Sequence, residues 1–243
     1  MRREQCSPKA SLTDEFPPFD LSNSYETAED GFGGRKGRNC KMGKLVVGEF
    51  VSVDGIYQAP GGRDEDRDGG FEQGGWTATY WDEEMGRRIT EMTLRSDALL
   101  LGRRTYEIFA GYWPNAGADD PVAAKLNSVP KYIASRTLDT VDWNNSTIIN
   151  GDVASAVAKL KQDVDGEIAV TGSGNLVQTL LQHDLVDVFG LWVFPVVLGN
   201  GKRLFGTGAL PRALQLADTW TSGTGVQVNS YTRAGEIQTG EVG

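Results

Sequence analysis

Asp97-Ala98-Leu99-Leu100-Leu101-Gly102-Arg103-Arg104-Thr105-Tyr106 reads as a buried strand that stops on a glycine and opens directly into a helix. The same grammar recurs at Glu167 to Val170, where Thr171-Gly172-Ser173-Gly174 turns a strand into a helix carrying Leu176, Leu180 and Leu181. Lys131-Tyr132-Ile133-Ala134 is a third short strand, followed by Ser135-Arg136-Thr137. Outward from these junctions, Lys44 to Ser52, Thr147 to Ile149 and the apolar run Val186 to Val197 have β character. Trp81, Met85, Ile89 and Met92 recur on one face of a helix predicted from Tyr80 to Ser96, and Asp152 caps a helix marked by Val153, Val157, Leu160 and Val164. Ala213 to Trp220 and Val226 to Arg233, joined by Thr221 to Gly225, read as a terminal hairpin. Strands alternating with helices and then closing in antiparallel pairs define an α/β class with a central, mostly parallel mixed sheet flanked by helices.

The chain has 243 residues and is 39% hydrophobic, enough to bury a core in one large domain or two small ones. Its 24 basic residues against 33 acidic ones give a net charge of −9, which removes the global positive field that nucleic acid or an anionic membrane requires. The expected partner is a small molecule. Cys6 and Cys40 both lie in the polar N-terminal stretch, so the globular part has no cysteine nucleophile. His183 is the lone histidine, which excludes His-rich zinc sites and the zinc-deaminase pattern; it reads as a helix C-terminal residue. No metal site is expected, and the acidic run from Arg63 to Asp68 reads as a solvated loop. Residues 1–41 have a disordered composition, and Met42 stands immediately ahead of the first strand, so the expected layout is an N-terminal extension (1–41), a domain (42–235) and a short tail (236–243). With no secretory signal at the N-terminus, a cytoplasmic location is expected.

A helix N-terminus offers unpaired N–H groups and a positive dipole end, so a glycine turn opening a helix suits a pyrophosphate. Gly172-Ser173-Gly174-Asn175-Leu176 has that form, although Val177 takes the third-glycine place of a dinucleotide fingerprint. A turn needing positive φ is the alternative. Gly102-Arg103-Arg104-Thr105 sets two guanidinium groups and a hydroxyl at a second helix start, where positive charge is unfavourable unless an anion joins it; the alternative is that both arginines point to solvent and pair with surface acids. Ser135, Arg136 and Thr137 add a further arginine and two hydroxyls. All three pieces follow successive strands, at the carboxyl ends where open α/β sheets place ligands.

These residues resemble the dihydrofolate reductase superfold, and more closely the reductase domain of bacterial riboflavin biosynthesis and its stand-alone relatives. The resemblance is carried by Ser52-Val53-Asp54-Gly55, by Leu99 to Glu107, by Ile133 to Thr137, and by Thr171-Gly172-Ser173-Gly174 through Leu185-Val186-Asp187 to Phe194-Pro195-Val196-Val197-Leu198-Gly199-Asn200-Gly201-Lys202-Arg203-Leu204-Phe205. It covers about residues 42 to 235 and implies NADPH as hydride donor. On that reading Arg103, Arg104, Ser135, Arg136 and Thr137 approach the adenosine phosphate. Gly102, Thr105 and the turn Gly172, Ser173, Gly174, Asn175, Leu176 hold the pyrophosphate, and Val53 and Gly55 approach the nicotinamide. Arginine forks match a 2′-phosphate, so NADPH is expected over NADH.

The resemblance also points to a carboxylate on the helix after the first loop as proton source, which falls on Asp82 or Glu83; stabilisation of acids by the helix dipole is the competing reading, and Asp54 is a further candidate. Trp76, Trp81, Tyr106, Pro195 and Gly199 are the expected substrate contacts, with core packing as the alternative for the aromatic residues. The expected activity is NADPH-dependent hydride transfer to a small heterocyclic, pyrimidine- or pterin-like, or carbonyl substrate. True dihydrofolate reduction and a nucleotide-binding module without turnover are the other readings. Relatives of this kind are commonly homodimers, and the Val186 to Val197 strand is a candidate interface, with a central place in the sheet as the equal alternative.

Overall fold

The structure is a computed structural model, and it describes residues 42–117, 119–206 and 210–242. The N-terminal extension read from the sequence lies outside them.

The chain begins with β1 (Lys44–Ser52) and, after a long loop, α1 (Glu83–Arg95), then β2 (Ala98–Gly102) and α2 (Arg103–Tyr112). Next come α3 (Pro121–Ser128), β3 (Lys131–Ala134), β4 (Ser146–Ile149) and α4 (Val153–Asp163). The last elements are β5 (Glu167–Thr171), α5 (Gly174–Gln182), β6 (Val188–Phe194), β7 (Leu214–Thr221) and β8 (Gln227–Arg233). They form one sheet in the order β4-β3-β2-β5-β1-β6-β8-β7, parallel from β4 to β6 and antiparallel from there to the β7 edge. The helix expected from Tyr80 starts instead at Glu83, because Asp82 adopts extended backbone and accepts the Met85 N–H; Trp81 precedes the helix. α3 was not anticipated, although Asp120 ahead of Pro121 is a cap followed by a proline at the first helical position.

Strand alternation assigns the faces. On β1, Leu45, Val47 and Val51 pack with Val157 and Leu160 of α4 and Leu176, Val177 and Leu180 of α5. Phe50, of opposite parity, joins Met85, Ile89 and Met92 of α1 together with Trp192 and Phe194 of β6. Leu99 and Leu101 of β2 pack with Tyr106 of α2 and Leu126 of α3. The helix after β5 therefore leaves to one face, whereas those after β1 and β2 leave to the other. Such a reversal opens a crevice at the carboxyl ends of β2, β5 and β1. β6 lies between β1 and β8, so the apolar strand considered as an interface is a central strand, apolar because both its faces are covered.

Lys131 shows how the fold treats a buried charge. The side chain is 0% exposed, and Nζ donates to the carbonyls of Leu126 (2.6 Å) and Val129 (2.8 Å), closing the C-terminus of α3 over the Trp143 ring. Burial lowers its amine to about 8. Lys131→Met leaves those carbonyls without a donor, and a loss of about 1–3 kcal/mol is expected in denaturant unfolding at neutral pH.

Candidate functional site

Of the five α-helices among the described residues, three begin on an aspartate whose carboxylate accepts helix N–H groups: Asp82 for α1, Asp120 for α3 and Asp152 for α4. α2 and α5, which both open into the crevice, have no side-chain cap. Their N-termini are joined to each other. Ser173 Oγ accepts the Gly102 N–H at 2.9 Å and donates to Thr105 Oγ1 at 2.9 Å, and Gly102 and Gly172 leave room for this close approach. Ser173 takes a left-handed conformation (φ 65°, ψ 35°), costly for a residue with a Cβ, directly after Gly172 at φ 57°. Two helix starts without side-chain caps, held side by side, offer the backbone N–H donors that an anion cradle uses.

Around this junction the expected residues divide into those that converge and those that do not. Gly102, Thr105, Gly172, Ser173, Gly174 and Leu176 converge, with Asn175 exposed beside them. Ser135 follows β3 in the same row of strand ends; its hydroxyl accepts the N–H groups of Thr137 and Leu138, shaping a turn that presents Arg136 and Thr137 to solvent. Arg103 pairs along its own helix with Glu107 at 2.9 Å. Arg104 reaches Asp66 at 3.0 Å and Asp68 at 2.7 Å, and Lys202 reaches the same two carboxylates at 2.5 and 2.9 Å. Most of the acidic run is exposed, as expected, but Asp66 and Asp68 anchor the loop through these ion pairs. Gln58, 2% exposed, fixes it by donating to the carbonyls of Asp66 and Asp68 and accepting the Lys202 N–H.

Two further groups lie beside the β5–α5 turn, and neither was anticipated. The Tyr57 ring lies on the start of α5, where a Cβ at Gly174 would run into it. Burial, reinforced by the charges of Glu49 and Asp66, pushes the Tyr57 phenol up to about 12. Glu49, on β1, is 3% exposed and burial raises its carboxyl to about 8. An acid at the inward position of the alternation Leu45, Val47, Glu49, Val51 was a readable signal for it.

At the end of β1, the Val53 N–H donates to the Val196 carbonyl at 2.9 Å, which brings Val53 and Gly55 beside Pro195 and Gly199. Asp54 ties this corner together. Its carboxylate accepts from Ser52 Oγ (2.7 Å) and from the N–H groups of Leu198 (3.1 Å) and Gly199 (2.9 Å). Partial burial pushes its carboxyl up, but those hydrogen bonds outweigh it and hold the group at about 2, so Asp54 shapes the turn and has no proton to give at neutral pH. Asp82 is committed as a helix cap and also accepts the Gly223 N–H at 3.1 Å, while Glu83 is exposed on the first helical turn. Tyr106 is not at the crevice: it is 5% exposed in the core and its hydroxyl accepts the N–H groups of Asp142 and Trp143. The Trp76 indole is likewise packed against Phe194 and bonded to the Gln58 carbonyl; its edge lines a cavity of about 470 Å³ within the long loop, beside Arg63, Arg67 and Glu72. Trp81, 46% exposed and edge-on to Phe50, remains at the surface. Among the described residues no cluster of metal-ligating side chains occurs and no helix is long and apolar enough to cross a membrane.

Sheet order and helix placement define an α/β domain with a dihydrofolate reductase-like fold. The RibD C-terminal domain family matches residues 44–228, and the chain belongs to that family. It is 30% identical to the uncharacterized protein YyaP of Bacillus subtilis (strain 168) over 193 residues, covering 77% of this chain and 94% of that protein. Solved structures share the fold. A diaminohydroxyphosphoribosylaminopyrimidine deaminase/5-amino-6-(5-phosphoribosylamino)uracil reductase from Thermotoga maritima superposes with a TM-score of 0.53 at 13% identity, over 80% of this chain and 57% of that one. Dihydrofolate reductase from Enterococcus faecalis, complexed with NADP(H), gives 0.50 at 12% identity, over 79% and 98%.

Proposed function

We propose that this chain is an NADPH-dependent reductase that passes a hydride to a small heterocyclic, pyrimidine- or pterin-like, or carbonyl substrate. The observation that carries the reading is the pair of uncapped helix N-termini locked together by Ser173 at the carboxyl ends of β2 and β5. A diphosphate fits this donor set: backbone N–H groups at two dipole ends, the Thr105 hydroxyl held in place by Ser173, and glycines that admit close approach. On this reading the adenosine side lies toward β3, where Arg136 is exposed, and the nicotinamide side toward β1, the two strands flanking β2 and β5. The cofactor would supply the hydride; the chain's own residues bind it, orient it and exclude water.

Saturating NADPH is expected to raise the melting temperature by about 5–10 °C, and NADH by clearly less. Arg136→Ala should narrow that gap. Equal shifts with both dinucleotides in the unaltered protein contradict the assignment. NADPH oxidation across pterins, pyrimidines and quinones then identifies the substrate, with dihydrofolate as the arm that tests true dihydrofolate reduction. The commitment of both Asp54 and Asp82 to structural hydrogen bonds favours one second reading, a dinucleotide-binding module without turnover, which predicts binding with no oxidation in any arm.

A further inference from the structure

Glu49 is an ionisable group for which the fold has no structural use. The last β1 residue paired with β5 is Gly48, opposite Thr171, so Glu49 is the first β1 residue past the point where β5 turns away into Gly172 and Ser173. Its parity places it on the α5 side, with Val47 and Val51. It is 3% exposed, and Oε1 has no hydrogen-bond partner. A buried carboxyl oxygen left unpaired is rare in folded chains and points to a partner that arrives from outside. On this face β5, β6 and α5 contribute Val170, Leu191, Leu176 and Val177, all apolar. From the loop after β1 comes the titratable Tyr57, with Asp66 and Arg104 beyond it. Burial is the one cause of the raised Glu49 carboxyl, which is therefore a neutral acid at neutral pH.

We propose that Glu49 makes the crevice discriminate between the two oxidation states of its cofactor, standing as a neutral acid toward the uncharged dihydronicotinamide and as a carboxylate toward the cationic nicotinamide. The inference rests on the cofactor reading above, which directs the nicotinamide to β1. A positive ring near a water-excluded carboxyl favours its ionised form, and the attraction is strong because little solvent screens it. Linkage then fixes the balance: the oxidised dinucleotide binds, Glu49 loses its proton to the buffer, and the complex holds a carboxylate beside the cation. The reduced dinucleotide binds with that proton retained.

The test is calorimetric titration of the full chain with NADP+ and with NADPH from about pH 6 to 9, in two buffers of different ionisation enthalpy, for the unaltered protein and Glu49→Gln. The ratio Kd(NADPH)/Kd(NADP+) cancels the titration of the shared phosphates and of groups that meet both dinucleotides alike. In the unaltered protein the ratio should rise with pH by up to about tenfold per unit until about pH 8, with close to one proton released per NADP+ bound. Glu49→Gln keeps the shape of the neutral acid, and both its ratio and its proton count should be flat; Glu49→Leu serves as a second variant with the same expectation. A flat ratio in the unaltered protein, or an equal slope in the variants, overturns the proposal while leaving the cofactor reading intact. Failure of every protein to bind either dinucleotide at millimolar concentration overturns both.

Discussion

Asp66→Asn combined with Asp68→Asn is expected to tighten NADPH binding by about tenfold at low salt, with a steeper loss of affinity as salt is added. Arg104 and Lys202 come from different elements, and each contacts both carboxylates. The pairing is mutual. Hydrogen bonds and charge from Lys202 and Arg104 hold the Asp68 carboxyl below its ordinary range; at Asp66 burial works the other way but is outweighed by the same partners. A phosphate approaching Arg104 therefore meets a cation already engaged by acids, and must displace them or accept their repulsion. Asparagine removes the competing charge while retaining the side-chain shape, and the Gln58 bonds that fix the loop go to backbone carbonyls, which the substitutions leave in place. Unchanged or weakened binding would show that the carboxylates aim Arg104 at the ligand rather than compete with it.

The second large effect concerns stability without any ligand. Burial raises the Glu49 carboxyl from an ordinary 4.5 to about 8. Between these values the folded chain holds a proton that the unfolded chain has released, so the unfolding free energy falls as pH rises through this window. The slope approaches about 1.4 kcal/mol per pH unit, giving a total of a few kcal/mol. Glu49→Gln should flatten this part of the curve and leave the variant more stable than the parent near pH 8. Asp54 acts at the other end: with its carboxyl held at about 2, its stabilisation is present above an ordinary 3.8 and is lost as pH falls toward 2. Urea unfolding across pH separates the two. A parent curve that stays level from pH 5 to 8 would mean that Glu49 is charged in the folded chain.

The parallel sheet and both helix-opening turns were legible because they depend on local grammar: a short apolar run, a glycine, then helical spacing, as at Leu99 to Glu107 and at Val170 to Leu180. What could not be read was long-range pairing. Nothing local to Asp66 indicates that its partners lie 38 and 136 residues away, and the acidic run has the composition of an ordinary exposed loop. Tyr57 on Gly174 is the same kind of contact, since a glycine required by a neighbouring ring is indistinguishable in sequence from one required by its own φ. Asp82 illustrates an ambiguity that only geometry resolves: an acid ahead of a helix is equally placed to cap it or to donate a proton, and the Met85 N–H decides for the cap.

The two margins of the sheet differ in how they end. β4 has four residues, and on β7 the register with β8 shifts between Leu216 and Asp218. A template for adding a foreign strand needs a long, even row of free amides and carbonyls, and neither margin provides one. The short β4 and the irregular β7 therefore make each margin a poorer template for edge-to-edge pairing between copies than an even strand of the same sheet would be.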